Sequence, residues 1–449
     1  MRKRKKKMDN KVDVIIIGAG LAGVACAYTL TKAGVNVIVL ERGQYPGAKN
    51  VMGGILFTTI LEKLIPEFLT ETPVERFIME RKFSLLSRDT ELEFSFRTEK
   101  YNQPPHNHSF TVLRAKFDRW FAGKAEKLGA MILPNVVVDG LIWQGKKCIG
   151  VNSRLSEGDL YADVIVLAEG ANSVIAEKEG LKPFLCVKDM AIAAKEIISL
   201  PPEVIEERFQ LSSDKSKDDI SGGAAIEYFG DAVQGMFGNA FIYTNRESLS
   251  VGIGCTLKEL VEKNINPHDA LEYFKNHPCV RNLLRNGKTE EYCTHIIPEG
   301  GYGNLSKLVF DGLLLIGDCA GLVNSSFFHE GSNLAMASGV YAAEAIIEAL
   351  EEGNFSRKTL SSYEKKLRNS FVIEDLKKFR HFPNLGEKCP ELVSEYPEIL
   401  AEIITRYFEI GEKSKRIIER EVIKMSRKKF GVLKFGKNVF NVARAMGWI

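Results

Sequence analysis

A chain that reads VDVIIIGAGLAGVACAYTLTKAGVNVIVLERG over residues 12–43 has little freedom of fold there. The apolar run 13–17 predicts a buried strand, and 36–40 predicts a second one ending at Glu41. Between them Gly18, Gly20 and Gly23 form GxGxxG, placed after a strand and at the start of a helix. Gly18 permits the tight turn, Gly20 lets the backbone approach a pyrophosphate, and Gly23 lets the helix pack closely on the sheet. The helix then offers unpaired N–H groups and a positive dipole end to the phosphates. Glu41 stands eighteen residues beyond Gly23, where a carboxylate can accept both ribose hydroxyls. This unit is expected to bind a dinucleotide. By itself it does not separate FAD from NAD.

Three further segments narrow the choice. GLLLIGDCAG, from Gly312, holds a strand over 313–316 that ends in Gly317-Asp318, and a helix of small residues follows from about Gly331. An acid at the end of a buried strand suits a ribityl or ribose hydroxyl. The helix after it can aim its amides at a ring oxygen that turns negative on reduction. DVIVLAEGANSVIA, from Asp163, predicts another buried strand ending in Glu169-Gly170-Ala171. TVLRAKFDRWFAGKAEKLGA, from Thr111, predicts an amphipathic helix with Arg114 near its start. Together the four segments resemble the FAD-binding pattern of the glutathione-reductase-type flavoproteins, in the hydroxylase and prenyl-reductase branch.

The loop RGQYPGAKNVMGGILF, with AEGANS at 168–173 and NLAMASG at 333–339, resembles more specifically the electron transfer flavoprotein–quinone oxidoreductases. The resemblance runs from Asp13 to about residue 390. It implies FAD contacts from Gly18, Ala19, Gly20, Leu21, Ala22 and Gly23, from Glu41, Arg42, Lys49, Asn50, Gly53 and Gly54, and from Arg114 and Val137. It adds Glu169, Gly170, Gly317, Asp318, Gly331, Ser332 and Asn333. The long members of that family carry an iron–sulfur cluster on a C-terminal ferredoxin-like segment. A [4Fe–4S] cluster needs about four thiolates, and after Cys319 this chain has only Cys389. It therefore looks like the short FixC or EtfC type, in which a small ferredoxin-like iron–sulfur protein supplies the cluster.

The resemblance implies an enzyme that passes electrons from an electron transfer flavoprotein of alpha and beta subunits, through that cluster, to a membrane quinone. In assemblies of this type the transfer is the quinone arm of electron bifurcation. The runner-up is a geranylgeranyl-reductase-like enzyme that saturates prenyl double bonds with the same FAD pattern. An NAD(P)H-dependent aromatic hydroxylase fits less well, because Glu169-Gly170 stands without the flanking arginines expected there. A flavin-containing scaffold without turnover is the non-enzymatic reading. A quinone reductase needs little side-chain chemistry beyond placing the ring and tuning it, so cofactor residues are expected rather than a catalytic triad. No metal-ligand spacing is present. His329, just before Gly331, is the candidate to bond the ring or pass a proton, against the alternative of local capping. Phe327 and Phe328 suit either a quinone pocket or the core.

Charge is unevenly placed. Six of the first seven residues are basic, and residues 411–449 carry eleven basic and three acidic, so a net charge of only +3 leaves the body between them acidic. Nucleic-acid binding is unsupported, because no recognition motif accompanies the charge. No apolar segment follows the basic start and no run of about 18 apolar residues exists. A cytoplasmic protein attached peripherally to the membrane is expected, and eight cysteines without a CxxC pair read as reduced thiols there. Val432, Phe435, Val439, Val442, Met446 and Ile449 recur every three or four residues among Lys and Arg, with Trp448 near the end. That pattern suits either a helix on an anionic membrane surface or a terminal helix docked on its own core or a partner.

The expected fold is α/β, a glutathione-reductase-type (Rossmann-like) FAD domain with an antiparallel-sheet substrate domain and a helical C-terminal region. The boundaries are a basic tail at 1–10, a discontinuous FAD domain at 11–75, 105–180 and 300–350, a substrate or quinone domain at 76–104 and 181–299, and helices over 351–449.

Overall fold

The computed structural model describes residues 11–49, 53–156, 158–184, 186–212 and 220–449. Its first sheet is parallel at the centre, in the order Met131–Leu133, Val37–Leu40, Lys11–Ile17, Asp159–Leu167 and Leu313–Leu315, with Val309–Phe310 antiparallel at the edge. Val14, Ile15 and Ile16 have no exposed surface, as strands covered on both faces require, which is why these segments read as continuous apolar runs rather than alternating ones. The hairpin of Val138–Gln144 and Lys147–Ser153 leads back into the Asp159–Leu167 strand.

Register gathers the motifs. Ile17 stands opposite Leu40 on one side and Leu167 on the other, and Leu167 stands opposite Leu315. Four strands thus end together, and the next residues, Gly18, Glu41, Glu169 and Gly317-Asp318, emerge along one carboxyl edge. Ligands of open parallel sheets bind at this edge. Two helices close over it, Leu21–Lys32 after the glycine turn and Ser332–Glu352 after the Asp318 turn. They cross at small residues: a Cβ on Gly339 would meet the Ala22 carbonyl oxygen at 2.2 Å, and one on Gly317 would meet Ala22 Cβ at 2.9 Å.

The second sheet has nine strands, in the order Lys288–Pro298, Met190–Ser199, Ser248–Thr256, Gly238–Thr244, Gly222–Gly230, Val74–Leu86, Ser109–Val112 and Ile55–Phe57, with Glu91–Arg97 also paired to Val74–Leu86. It is antiparallel except between Gly222–Gly230 and Val74–Leu86. That parallel pair departs from the expected all-antiparallel sheet, and a long connection carrying Pro202–Phe209 intervenes before the strand returns. Ile55–Phe57 and Ser109–Val112 also join this sheet, although the boundaries read from sequence placed them with the cofactor domain. Both strands are short, and only their long-range pairing assigns them.

Side chains alternate across the second sheet. Ala224, Ile226 and Tyr228 face a core with Phe274 and Leu271 of the helix Pro267–Asn276. Ala225, Glu227 and Phe229 take the opposite face, and Glu227 and Phe229 look toward the first sheet's carboxyl edge. After Glu352 the chain is helical, and Tyr396–Tyr407, Lys415–Phe430 and Val432–Ala445 close the far end.

Candidate functional site

One cavity of about 1360 Å³ runs between the parallel sheet's carboxyl edge, one face of the second sheet and the C-terminal helices. At its near end Gly18, Gly20, Leu21 and Ala22 form the floor, with Glu41, Arg42 and Val137 beside them. The turn is locked by close packing. Gly18 has φ +108°, and a Cβ there would meet the Ala168 carbonyl oxygen at 2.3 Å. Gly23 lies behind the cavity wall, where a Cβ would meet the Gly18 oxygen at 2.0 Å. Its contribution is the close approach of helix to turn. The Glu41 carboxylate accepts from the Ala19 N–H at 2.8 Å and the Gly43 N–H at 2.5 Å, so it is held at the strand end facing the turn.

Farther along, Arg114 opens the helix Arg114–Lys127 and forms a two-pronged pair with Asp118, Nε to Oδ1 at 2.7 Å and Nη2 to Oδ2 at 2.8 Å. That pair fixes the guanidinium against the cavity. The loop preceding it is pressed on the same helix, since a Cβ on Gly47 would meet Asp118 Cβ at 2.7 Å. Lys49 lines the cavity from this loop; Asn50 lies outside the described residues. Gly53 and Gly54 also line it, with Gly53 against Tyr243, which stacks on Phe241 at 4.7 Å between ring centroids.

Asp318, Gly331 and Ser332 reach the middle of the cavity. Burial pushes the Asp318 carboxyl up to about 6, against the lowering charges of Arg114 and Lys182. Asn333 turns the other way: its Oδ1 accepts from Thr59 Oγ1 and the Ile60 N–H, and its Nδ2 donates to Glu330. It ties the long helix to the helix Thr59–Leu64 and does not line the cavity. Glu169 and Gly170 do line it, yet the Glu169 carboxylate accepts the N–H groups of Ile175 at 2.9 Å and Ala176 at 3.0 Å. Burial raises this acid's pKa, opposed by those two hydrogen bonds.

The arrangement fits a flavin dinucleotide. Two helices, Leu21–Lys32 and Ser332–Glu352, begin at Gly20 and Gly331 with no side-chain cap, and both ends open on the cavity. Helix starts of this kind leave N–H donors for an anion. Glu41 at one end and Asp318 at the middle supply acceptors for hydroxyls.

The cavity does not stop at Asp318. His329 enters it from the loop before Ser332 with a left-handed backbone, φ 45°. Such a conformation is costly for a residue with a Cβ, and it concentrates at functional sites. Its imidazole lines the cavity and keeps 38% of its surface accessible. The Nε2 atom stands 3.6 Å from Glu227 Oε2. Burial alone would depress the imidazole pKa, but the charges of Glu227 and Glu299 outweigh it, so the net shift is upward. Beyond His329 the walls turn apolar. Phe327 packs edge-on against Phe382 at 5.4 Å, and Phe328 meets Phe379 at 5.7 Å. Phe327 and Phe328 are cavity walls rather than core.

Sequence reasoning named the near end and missed most of the far wall. Glu227, Asn239, Phe241, His295 and Glu299 face the cavity from the second sheet, and Phe382, Leu385 and Tyr396 from the C-terminal region. A signal for Glu227 was present: it is the one acid in the apolar strand GAAIEYFG. The stretch 375–387 gains a role as well. Gly386 lets that stretch press on Phe237, since a Cβ would meet the ring at 2.5 Å, and this brings Phe382 and Leu385 to the cavity.

Comparisons with known proteins give the family and the fold. The family described as FAD dependent oxidoreductase matches residues 13–118, and the ETF-QO/FixC family C-terminal domain matches 382–447. Protein FixC of Bradyrhizobium diazoefficiens is 39% identical over 94% of this chain and 95% of its own length. The probable electron transfer flavoprotein-quinone oxidoreductase YdiS of Escherichia coli K12 is 37% identical over 98% of this chain and 100% of its own. This chain belongs to the FixC and electron transfer flavoprotein–quinone oxidoreductase family. It is an FAD-dependent oxidoreductase. Among solved structures, a geranylgeranyl bacteriochlorophyll reductase-like protein of Thermoplasma acidophilum superposes with TM-score 0.70 at 21% identity, covering 94% of this chain and 97% of that one. The flavin-dependent brominase Bmp2 follows the same fold at TM-score 0.59 and 18% identity, over 93% of this chain and 100% of its own. At these identities the likeness establishes the α/β flavoenzyme fold and not the reaction.

Proposed function

We propose that this FAD enzyme takes electrons from an electron transfer flavoprotein, by way of the cluster of a small ferredoxin-like partner, and delivers them to a membrane quinone as the quinone arm of a bifurcating assembly. The observation that carries the reading is the continuous cavity: one end is built for a dinucleotide, and the other is an apolar chamber of quinone-like character reached past His329. FAD, when bound, stores two electrons and can release them singly. Glu41, Arg42 and the Gly18 turn would hold its adenosine and pyrophosphate, Arg114 and Asp318 its middle, and Gly53, Gly54 and the Ser332 helix start its ring. Cys319 and Cys389 lie in separate cores, each fully buried with a free thiol, which supports a cluster carried by a separate protein.

The C-terminal helices supply a route to lipid. Among the described residues no helix is long and apolar enough to cross a membrane. Val432–Ala445 is docked through Asn438, whose Nδ2 donates to Tyr396 Oη at 2.8 Å, and through buried Ala445. Its other side leaves Leu433 91% and Phe440 55% exposed, with Phe408, Ile410 and Trp448 also exposed nearby in the chain. Exposed apolar side chains interspersed with Lys and Arg are the composition of an interfacial attachment. Docking and membrane contact are therefore two sides of one helix. Val442 lines the cavity from its docked side, so the surface proposed to touch lipid adjoins the chamber proposed to receive a lipid-soluble substrate.

The test is affinity purification from native membrane and soluble fractions with mass spectrometry. Recovery of both flavoprotein subunits and a small ferredoxin in the membrane fraction is expected. A yellow protein that emerges alone, and that saturates prenyl lipids, would contradict the proposal.

A further inference from the structure

We infer that His329 and Glu299 are the proton donors to the quinone, and that Glu227 is the positioning residue that keeps His329 charged and aimed at the chamber. The inference rests on the quinone reading above. Three observations carry it. Glu227 is 4% exposed, and its Oε2 has no hydrogen-bond partner, with His329 Nε2 at 3.6 Å, just beyond hydrogen-bond reach. An acid buried in an otherwise apolar strand face with an unpaired oxygen is destabilising unless something else retains it. The loop that brings His329 to it does so at φ 45°, a second local cost at the same place. Glu299, just after the Lys288–Pro298 strand, lines the same cavity, and its ionisation and that of His329 act on each other.

The surroundings define what each group can do. Arg81, from the neighbouring strand, faces the pair and donates to Ser109 Oγ at 3.3 Å. Tyr243, from the strand on the other side, is fully buried, and its phenol is pushed up by burial and then by Glu227. Glu330 is engaged by Asn333, with Asp375 the next acid. None of these neighbours replaces His329 at Glu227. Burial pushes the Glu299 carboxyl up to about 7, opposed by the His329 charge, so it can both give up and regain a proton near neutrality.

Reduction of a quinone to a quinol converts two C=O groups to C–O–H and takes up two electrons and two protons. The electrons come from the reduced cofactor. One proton leaves His329 Nδ1, since Nε2 faces Glu227, and the other leaves the Glu299 carboxyl, so that the imidazole ends neutral and the carboxyl ends charged. Both are reprotonated from solvent. Glu227 gives up no proton; its charge sets how readily His329 is refilled.

The relay is tested by comparing two acceptors on the FAD-loaded, dithionite-reduced protein: a short-chain quinone, which needs protons, and ferricenium, which needs none. Glu227→Gln and Glu299→Gln are expected to slow quinone reduction about tenfold or more while ferricenium reduction stays within about twofold. In Glu227→Gln the alkaline limb of the quinone pH profile is expected to move to lower pH, because the imidazolium loses the carboxylate that stabilised it. Glu227→Asp keeps the charge and is expected to recover part of the rate. Independently of turnover, NMR of isotope-labelled histidines, with His329→Asn as the assignment control, is expected to show the His329 midpoint falling in Glu227→Gln. Equal losses with both acceptors, or a quinone rate, pH profile and imidazole midpoint unchanged by the substitutions, overturns the relay. A wild-type protein that reduces ferricenium and no quinone overturns the quinone reading instead.

Discussion

Asp318 shows how far single residues could be read. Its place after a buried strand marked it in the sequence, and the register of Leu315 with Leu167 and of Leu167 with Ile17 brings it to the edge shared with Gly18. Its burial adds a pH dependence that no motif carries. The carboxyl, shifted from 3.8 to about 6, is a double acceptor only when ionised. FAD affinity is therefore expected to weaken as pH falls below about 6, measurable by fluorescence titration of the apo-protein. The stability sign is opposite: a raised folded-state pKa stabilises the apo-protein in acid, and that contribution is lost as pH rises through about 6. Asp318→Asn removes a charged acceptor and is expected to raise the FAD Kd about tenfold or more. Asn333 shows the limit. Sequence placed it beside Gly331 and Ser332 as a cofactor contact, but the one-residue step from Ser332, about 100° around the helix, aims it at Thr59. Spacing assigns a residue to a helix start, and only packing decides which face it takes.

The elements that were readable are those whose signal is local. The parallel strands declare themselves because burial on both faces demands continuous apolar runs, and the two cofactor helices because their small residues permit contact at Gly339 and Ala22. That contact gives a sharp test. Gly339→Val drives side-chain atoms into the Ala22 carbonyl and is expected to destabilise the protein by about 1–3 kcal/mol, read as a lower urea midpoint, with weaker FAD retention. The pairings that were not readable are non-local. Ile55–Phe57 and Ser109–Val112 are three and four residues long, too short to show which sheet they join. The C-terminal helix was readable as amphipathic but not in orientation, because Asn438, a polar residue in the helical pattern, is its buried anchor. Leu433→Glu with Phe440→Glu is expected to leave thermal unfolding nearly unchanged, since both side chains are exposed. The same pair is expected to abolish co-sedimentation with vesicles containing anionic lipid. Retained binding would place membrane attachment elsewhere.

Across the molecule, the cavity joins what the sequence presented as separate segments. Its near end comes from the first sheet's carboxyl edge, its ceiling from one face of the second sheet, and its far end from Phe382, Tyr396 and Val442. The dinucleotide half was readable because phosphate and hydroxyl recognition needs glycines and acids at fixed offsets. The far half was not, because an apolar chamber uses the same residue types as a core, and Phe327 and Phe328 carry no local mark of which they line. In the proposed function, one cavity conducts electrons from FAD to a quinone. The most direct measurement is anaerobic: reduce the bound FAD photochemically, mix with a short-chain quinone in a stopped-flow instrument, and follow flavin absorbance. The expected result is rapid return of the oxidised flavin spectrum with quinol formed in equal amount. A flavin that stays reduced in the presence of quinone, yet is reoxidised by ferricenium, would contradict the claim.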